Sequence, residues 1–282
     1  MHHPVFLTEI IDNLSVKKHG LYIDATFGEG GDSLAILEKG GQVLGIEWDK
    51  NQYQAAKIKY AKYIKEGKLK LINSNFAKIK QIAQKNDFFP VDGVIFDLGL
   101  SMRQLEESGR GFSFKKENEP LDMRINFELK VKAADLINSL PKEELYEIFT
   151  KYSEEIHSLR LVENIIRTRA IKRIEKVKDL VEIIDRTLSK KDEKVYRRIF
   201  QGLRIAVNRE LENLREGLEG ALALLNKNGR VIVITFHSLE DRLVKNFVKD
   251  HHLHFLTKKP FISKRFNYER SAKLRVISLI KI

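Results

Sequence analysis

The chain has 282 residues, enough for one large domain or two small ones, and 43% of them are hydrophobic, which is sufficient for a core. The net charge of +12 favours a polyanionic partner, nucleic acid first, with a merely basic surface as the alternative. The absence of cysteine excludes disulfides, cysteine-ligated zinc and a cysteine nucleophile. Without a membrane-length apolar run or a signal peptide, we expect a cytoplasmic protein with no membrane contact.

The first forty residues predict a strand, a glycine turn and a helix. Residues 1–20 form a helical lead-in, and Leu21 to Phe27 is an apolar stretch typical of a buried strand. A turn with three glycines follows and leads into a helix that ends before Gly40. This order opens many α/β nucleotide-binding sheets, because glycine adopts positive φ freely and lets the backbone approach a ligand.

The glycine turn favours a cationic ligand over a dinucleotide. Ser33 replaces the third glycine of the dinucleotide pattern G-x-G-x-x-G, and Asp24 and Glu29 place acids where a pyrophosphate would have to lie. S-adenosylmethionine fits better, because it carries a sulfonium and an ammonium group and no phosphate. A tight turn without any ligand is the structural alternative.

Three further strands and two helices complete the first part: strands at Gln42 to Trp48, Lys68 to Ile72 and Val91 to Leu100, and helices at Lys50 to Lys65 and Ala77 to Asn86. Glu47 ends the second strand, where such folds hold ribose hydroxyls, although a solvent-exposed charge is the alternative. Asp97 ends the fourth, uniformly apolar strand, where open α/β sheets place ligands. A buried acid needs a partner or a purpose, so we favour function over a structural cap at Asp97.

Residues 106–199 show helical periodicity and no clear buried strands. The predicted helices are Val131 to Ser139, Lys142 to Lys151, Ser153 to Ile171 and Val177 to Ser189. The segment is rich in basic residues, among them Arg167, Arg169, Lys172, Arg173, Arg197 and Arg198. We interpret 106–199 as a helical insertion into a core formed by 1–105 and 200–282. Solvated helix faces are the alternative explanation for most of its charges.

Strand character returns near the end of the chain. The predicted elements are a long helix at Phe200 to Asn226, a strand at Arg230 to Phe236, a helix at Leu239 to Asp250, and strands at Leu253 to Thr257 and Leu274 to Ile282. Four strands before the insertion and three after it predict an α/β fold. The count is that of a Rossmann-like class I methyltransferase, a seven-stranded sheet, here with an inserted all-helical domain.

Seven strings stand in a fixed order: DATFGEGG, DLGLSMRQLE, RGFSF, EPLDMR, FQGLRIAVNRELENL, ITFHSLEDRLVK and RSAKLRV. Together they resemble the bacterial family that methylates the exocyclic amine of a cytidine in the decoding site of 16S rRNA. The likeness runs nearly end to end. It implies S-adenosylmethionine as cofactor, and 16S rRNA in the small subunit or its precursor as partner. The oligomeric state stays open, with a homodimer among the alternatives.

The resemblance also implies cofactor contacts at Gly30, Gly31, Asp32, Glu47, Phe76, Asp97 and Gln104. Asp24 joins this set because its carboxylate suits the positive groups of S-adenosylmethionine. Three positions depart from the family pattern: Asp32 stands where the family usually has His, Glu47 where it has Asp, and Met102 where it has Ser. Asp32 keeps a backbone N–H for the ligand, Glu47 can still accept from both ribose hydroxyls, and Met102 lacks the hydroxyl.

Asp97 is also a candidate catalytic residue. The exocyclic nitrogen of cytosine is a weak nucleophile because its lone pair is delocalised, so the site must place it in line with the methyl group at about 3 Å. A hydrogen-bond acceptor on the amine would make it more electron-rich. The Asp97 carboxylate and the carbonyls of Leu98 and Gly99 are the best acceptors, and the small residues Gly99 and Ser101 leave room for a flat base.

A second group of candidates follows the fifth strand. Phe236 is positioned to stack on the base, and His237 to take the released proton, with helix capping or packing as the alternative for His237. Ser238 is a candidate N-cap, with Asp241 three residues on.

Two arginines of the insertion complete the candidate site. We expect Arg110 and Arg124 to contact phosphates or base edges, with an internal Arg–Asp pair as the alternative. Because His251, His252 and His254 lack metal-ligand spacing, we treat them as surface residues and expect no metal site.

Overall fold

The computed structural model, which describes residues 5–188, 191–263 and 271–280, contains an eight-stranded sheet. The strands are β1 (Leu21–Asp24), β2 (Gln42–Glu47), β3 (Leu69–Asn73), β4 (Val91–Asp97), β5 (Leu225–Thr235), β6 (His254–Phe255), β7 (Phe261–Ile262) and β8 (Lys273–Ser278). Their order is β3-β2-β1-β4-β5-β8-β6, with β7 paired to β8. β1 to β5 pair in parallel, whereas β6, β7 and β8 pair antiparallel. The predicted Rossmann-like α/β fold is confirmed, and the added strand is the two-residue β7.

Helices accompany the sheet on both sides. They are α1 (Leu7–Leu14), α2 (Gly31–Glu38), α3 (Lys50–Lys59), α4 (Ala61–Lys65), α5 (Ile79–Lys85), α12 (Glu210–Leu222) and α13 (Ser238–Asp250), with a 3-10 turn at Phe76–Lys78. Asp49 caps α3 by accepting the N–H of Asn51 at 2.9 Å. The predicted helix over Lys50 to Lys65 is two helices, because Tyr60 leaves the helical conformation at φ −105°.

The central strands bury both faces, which explains their nearly continuous apolar sequences. Alternate side chains enter different cores: Ile23 and Phe96 lie in one cluster, and Tyr22 and Ile95 in another. The first cluster is completed by α5, α12 and α13, and the second by α1 and α2. This three-layer arrangement holds the carboxyl ends of the parallel strands in fixed positions.

Leu100–Glu210 form a second compact unit, and Met1–Gly99 with Leu211–Ile282 form the first. The helices of the second unit are α6 (Met102–Glu106), α7 (Ala133–Ser139), α8 (Lys142–Lys151), α9 (Ser158–Arg169), α10 (Val177–Thr187) and α11 (Glu193–Asn208). Its buried core lies wholly between Phe112 and Val207. The unit is wider than the predicted insertion of 106–199, because Leu100, Leu105 and the side chains of α11 pack on that core.

Several predicted boundaries shift. The helix expected over Phe200 to Asn226 breaks at Arg209, which adopts a left-handed conformation at φ 51° between α11 and α12. β5 starts at Leu225 rather than Arg230, and β8 ends at Ser278. Residues 281–282 of the last predicted strand lie outside the described residues. Among the helices of the described segments, none combines the length and apolar character needed to cross a bilayer.

Candidate functional site

Three acidic side chains lie at the carboxyl ends of adjacent parallel strands. Asp24 ends β1, Glu47 ends β2 and Asp97 ends β4. β1 is hydrogen-bonded to β2 on one side and to β4 on the other. The chain order of the sheet reverses around β1, and open α/β sheets bind ligands at such a point. The three predicted acids therefore share one edge of the first unit.

Asp24 is buried and held by short-range hydrogen bonds. Its carboxylate accepts the Ser33 hydroxyl at 2.6 Å and the Thr26 N–H at 3.2 Å. Burial nevertheless raises the pKa of Asp24 to about 6, since these two bonds only partly replace water.

Asp32 is buried next to these acids, at the start of α2. Its Oδ1 has no hydrogen-bond partner among the described residues. Burial, together with the charges of Asp24 and Asp97, raises the pKa of Asp32 well above its ordinary value. An unpartnered buried carboxylate oxygen calls for a donor or a cation.

Glu47 links the end of β2 to the glycine turn. One oxygen accepts the Gly28 N–H at 2.8 Å and the other accepts the Asp49 N–H at 2.7 Å. Burial raises the pKa of Glu47 to about 7, and the neighbouring charges of Asp49 and Asp24 add to this effect. Each carboxylate oxygen has a further lone pair, so Glu47 can still accept from ribose hydroxyls.

The glycine turn needs glycine at Gly30 for two reasons. The backbone has φ 76° there, and an added Cβ would lie 2.6 Å from the Tyr60 ring and 2.7 Å from the Phe27 ring. The Tyr60 hydroxyl donates to the carbonyls of Glu29 and Gly30 at 2.8 and 2.9 Å. The turn, with Gly31 starting α2, is thus fixed by packing as well as by its own conformation.

Asp97 is partly exposed, and its Oδ1 would lie 3.4 Å from a Cβ added to Gly99. Its N–H donates to the Thr26 hydroxyl oxygen at 2.6 Å, and its Oδ1 accepts the Gly99 N–H at 3.2 Å. Burial, with the charges of Asp24 and Glu240, raises the pKa of Asp97 to about 7. A Cβ on Gly99 would lie 2.8 Å from the Phe236 ring. The space predicted for a base beside Gly99 is therefore filled by Phe236.

His237 occupies the capping position of α13. Its Nδ1 accepts the Glu240 N–H at 3.4 Å, and the Glu240 carboxylate accepts the N–H groups of Phe236 at 2.8 Å and His237 at 3.3 Å. The Nε2 of His237 is buried, 3.0 Å from a Glu240 oxygen, at an angle that makes no hydrogen bond. The cap was expected at Ser238, which is wrong by one residue, and the proton-accepting role of His237 stays a prediction.

Phe76 lies in the 3-10 turn after β3 and packs edge-to-face on Phe96 of β4, with ring centroids 5.6 Å apart. Gly217 of α12 gives it room, since a Cβ there would lie 2.8 Å from the Phe76 ring. Phe76 is only partly buried, so it keeps an accessible surface for the predicted contact with an adenine.

Gln104 belongs to the second unit, where it caps α6. Its side-chain oxygen accepts the Ser101 N–H at 3.0 Å, and its own N–H donates to the Ser101 hydroxyl at 3.1 Å. The buried side chain has a structural use, and its predicted cofactor contact stays a prediction.

Arg110 and Arg124 are both engaged inside the second unit. Arg110 is 4% exposed, and its guanidinium donates to the carbonyls of Arg124 and Ile125 at 3.0 and 2.8 Å. Arg124 forms a bidentate salt bridge with Asp122, with N···O distances of 2.7 and 2.8 Å, and donates to the Leu129 carbonyl at 2.6 Å. This is the internal Arg–Asp pair that the sequence left open, and RNA contact by either arginine stays a prediction.

The first unit thus gathers four acids, Asp24, Asp32, Glu47 and Asp97, that form no ion pair with any described Lys or Arg. The raised pKa values mean that, without a cation nearby, burial and mutual repulsion disfavour the ionised form of these carboxyl groups. A ligand with two positive groups and hydroxyl donors fits it. Sequence reasoning missed Thr26 and Ser33, which hydrogen-bond to Asp24. It also missed Tyr60, which holds the glycine turn, and Glu240, which holds the start of α13. Only Glu240 had a local signal, the capping pattern in HSLE.

Comparisons with known proteins agree with this chemistry. A model described as the MraW methylase family matches residues 1–280. The chain belongs to this family. A Clostridium botulinum protein named ribosomal RNA small subunit methyltransferase H is 39% identical over 98% of this chain and 97% of its own length. A Thermomicrobium roseum protein of the same name is 43% identical over 88% of this chain and 77% of its own.

A Streptococcus mutans protein, solved in complex with SAH, aligns at a TM-score of 0.48 with 14% identity, over 99% of this chain and 100% of its own. Family membership makes the chain a methyltransferase that uses S-adenosylmethionine, as predicted, and removes the alternative of a dinucleotide-binding protein.

Proposed function

We propose that this chain transfers a methyl group from S-adenosylmethionine to the exocyclic N4 amine of a cytidine in the decoding region of 16S rRNA. The observation that carries the proposal is the cluster of acids without cationic partners at the carboxyl ends of β1, β2 and β4, of which Asp24 and Glu47 are buried and Asp97 is partly exposed. The relatives named ribosomal RNA small subunit methyltransferase H support rRNA as the substrate.

The acids and the glycine turn would hold the cofactor. Glu47 would accept the ribose hydroxyls, and Phe76 would contact the adenine. Asp24 and Asp32 would face its positive groups, with Gly30 and Gly31 giving the backbone close access. When bound, S-adenosylmethionine supplies a methyl group on a positively charged sulfur.

Asp97 would act on the base. The amine loses one proton as the new N–C bond forms, so an acceptor must lie within hydrogen-bond reach. A carboxyl group with a pKa of about 7 is partly ionised at neutral pH and can still hold the proton that it takes up. Phe236, packed against Gly99, would provide the stacking surface for the cytosine.

The second unit would contact the RNA. A base inside a folded rRNA helix must turn outward to reach a methylating site, which costs a few kcal/mol of stacking. Contacts between basic residues and phosphates would offset that cost. RNA affinity should therefore fall steeply as the salt concentration rises.

The test is methylation of small ribosomal subunits that lack this modification, with a tritiated methyl donor. After digestion to nucleosides, mass spectrometry should find N4-methylcytidine. Asp97→Asn should reduce turnover by about 10²–10⁴-fold, the range for loss of a proton-transferring group.

Asp92→Asn is the matched control. Asp92 lies on the same strand, close to the opposite end, where it pairs with Lys17 at 2.9 Å. This variant should keep turnover close to the wild-type value. A label on ribose or on a carbon atom of the base, or equal activity of the two variants, would contradict the proposal.

A further inference from the structure

Most basic side chains that the sequence singles out in the second unit are engaged locally. Lys172 pairs with Asp179, Arg173 with Glu175, Arg197 with Glu193 and Arg198 with Glu155, whereas Arg169 donates to the carbonyls of Ile137 and Leu140. Arg167 is the exception, since it has neither an ion pair nor a side-chain hydrogen bond with any described residue. These pairs lower the positive charge available at most of this surface.

A second unpaired arginine lies two turns earlier on the same helix. Arg160 and Arg167 are seven residues apart on α9, which places them on one face. Both are exposed, and Arg160 likewise has no ion pair with a described residue. The neighbouring helix α10 adds Arg186, whose exposed guanidinium lies 3.6 Å from the Glu182 carboxylate.

These three arginines line one open cavity of about 530 Å³. The acid in its lining, Glu163, is paired with Lys142 at 3.0 Å, so Arg160 and Arg167, which have no ion pair with a described residue, dominate its charge. Specific ligand sites commonly enclose about 300–1,000 Å³, so a nucleotide fits this volume.

The cavity also has an apolar edge. Ile156 is 86% exposed and Leu159 is 53% exposed, and both belong to its lining. Guanidinium groups next to apolar surface suit a nucleotide, because arginine binds phosphate through two N–H groups and also stacks on bases. A free phosphate would use only the arginines and leave these apolar side chains in water.

We propose that this cavity of α9 and α10 binds RNA, with Arg160, Arg167 and Arg186 on backbone phosphates and one unpaired nucleotide against Ile156 and Leu159. This proposal rests on the proposed function in one respect, that the substrate is rRNA. The contact lies entirely within the second unit and is separate from the cofactor-binding residues.

The test compares two double variants of the whole protein by filter binding to deproteinised 16S rRNA across a salt series. Arg160→Gln with Arg167→Gln should weaken binding about 10- to 30-fold at physiological salt and make the slope of log affinity against log salt shallower by about 1–2, as expected for two lost phosphate contacts. Affinity for S-adenosylmethionine should not change.

The control is Arg173→Gln with Arg197→Gln, which removes two other exposed arginines from the same unit, outside the cavity. It should reduce affinity less than threefold. Equal losses of RNA affinity in the two double variants would overturn the proposal, since affinity would then follow net charge alone. Unchanged RNA affinity of the variant with Arg160→Gln and Arg167→Gln would also overturn it.

Binding to assembled small subunits, measured beside binding to deproteinised 16S rRNA, distinguishes an RNA contact from a contact with a ribosomal protein. The variant with Arg160→Gln and Arg167→Gln should lose affinity for both the deproteinised rRNA and the assembled subunits. A loss confined to assembled subunits would assign the cavity to a ribosomal protein and overturn the RNA contact. Because the experiment measures binding and not methylation, a loss of affinity for deproteinised rRNA supports RNA binding at the cavity, whichever atom of the RNA is methylated. A failure of the proposed function is therefore recognised separately.

Discussion

At the scale of single residues, the acids at the sheet edge make stability depend on pH in an unusual direction. The ordinary pKa of Asp is about 3.9, and Asp24 and Asp97 are raised to about 6 and about 7. Between pH 4 and 7 the folded state therefore holds more protons than the unfolded state. The free energy of unfolding falls as the pH rises through this window, and the loss is complete above the folded pKa values.

Asp32 offers the clearest test of this linkage. Asp32→Asn removes a buried carboxyl whose ionised form is destabilised by burial and by the charges of Asp24 and Asp97, which is why its pKa is raised, and whose Oδ1 lacks a partner among the described residues. We expect it to raise the free energy of unfolding by about 1–3 kcal/mol at pH 8, because a neutral amide avoids the extra desolvation cost of an ionised group at this buried position. The gain should be smaller at pH 5 than at pH 8, because a carboxyl whose pKa is raised by folding costs the fold more free energy as the pH rises.

Thermal melts at both pH values measure this difference, at about 2–4 °C per kcal/mol. Asp12→Asn, an exposed acid on α1, should leave the melting temperature unchanged at either pH. A gain for Asp32→Asn that is equal at the two pH values would show that its charge is not the destabilising feature.

Sequence reasoning reached the residues whose role follows from local pattern. Asp24, Glu47 and Asp97 each end an apolar run, and parallel strands bring such ends to one edge whatever the loops do. It could not place Phe236 against Gly99, or bury the Arg110 guanidinium among backbone carbonyls. Those contacts join distant parts of the chain and depend on packing, on which periodicity gives no information.

At the scale of elements, the glycine turn before α2 requires both a positive φ at Gly30 and the absence of a side chain there, and mutation can separate these two requirements. Gly30 and Gly67 both have positive φ, at 76° and 70°. An added Cβ at Gly30 meets Tyr60 and Phe27 within 2.7 Å, whereas at Gly67 nothing lies within 4 Å. Each substitution by Ala costs about 1–2 kcal/mol of left-handed backbone strain, but only Gly30→Ala must also displace two rings.

We therefore expect Gly30→Ala to lower affinity for S-adenosylmethionine at least tenfold and Gly67→Ala to leave it within twofold. Isothermal titration calorimetry measures both affinities, and circular dichroism checks that each variant is folded. If the two variants lost affinity equally, backbone strain rather than the packed turn would control the site.

At the scale of the whole molecule, the chain builds separate cores for its two units. Every buried residue of the helical core lies between Phe112 and Val207, and the two sheet cores are built from residues outside Leu100–Glu210. A stretch that supplies its own core can fold by itself. The sequence signal for this division was the change from strand to helix periodicity, which marks an insertion but not the residues at its ends.

We predict that residues 100–210, produced alone, fold into a helical domain that melts cooperatively. Circular dichroism should show helical content with a sigmoidal thermal transition, since the core around Phe149, Leu161 and Leu203 is complete within these residues. The fragment should bind 16S rRNA with a steep salt dependence and should not bind S-adenosylmethionine, because Asp24, Glu47 and Asp97 are absent from it. Leu161→Ala within the fragment is the control for a specific core and should lower its stability by about 2–5 kcal/mol. A gradual melt that Leu161→Ala leaves unchanged would mean that the helical unit needs the rest of the chain to fold.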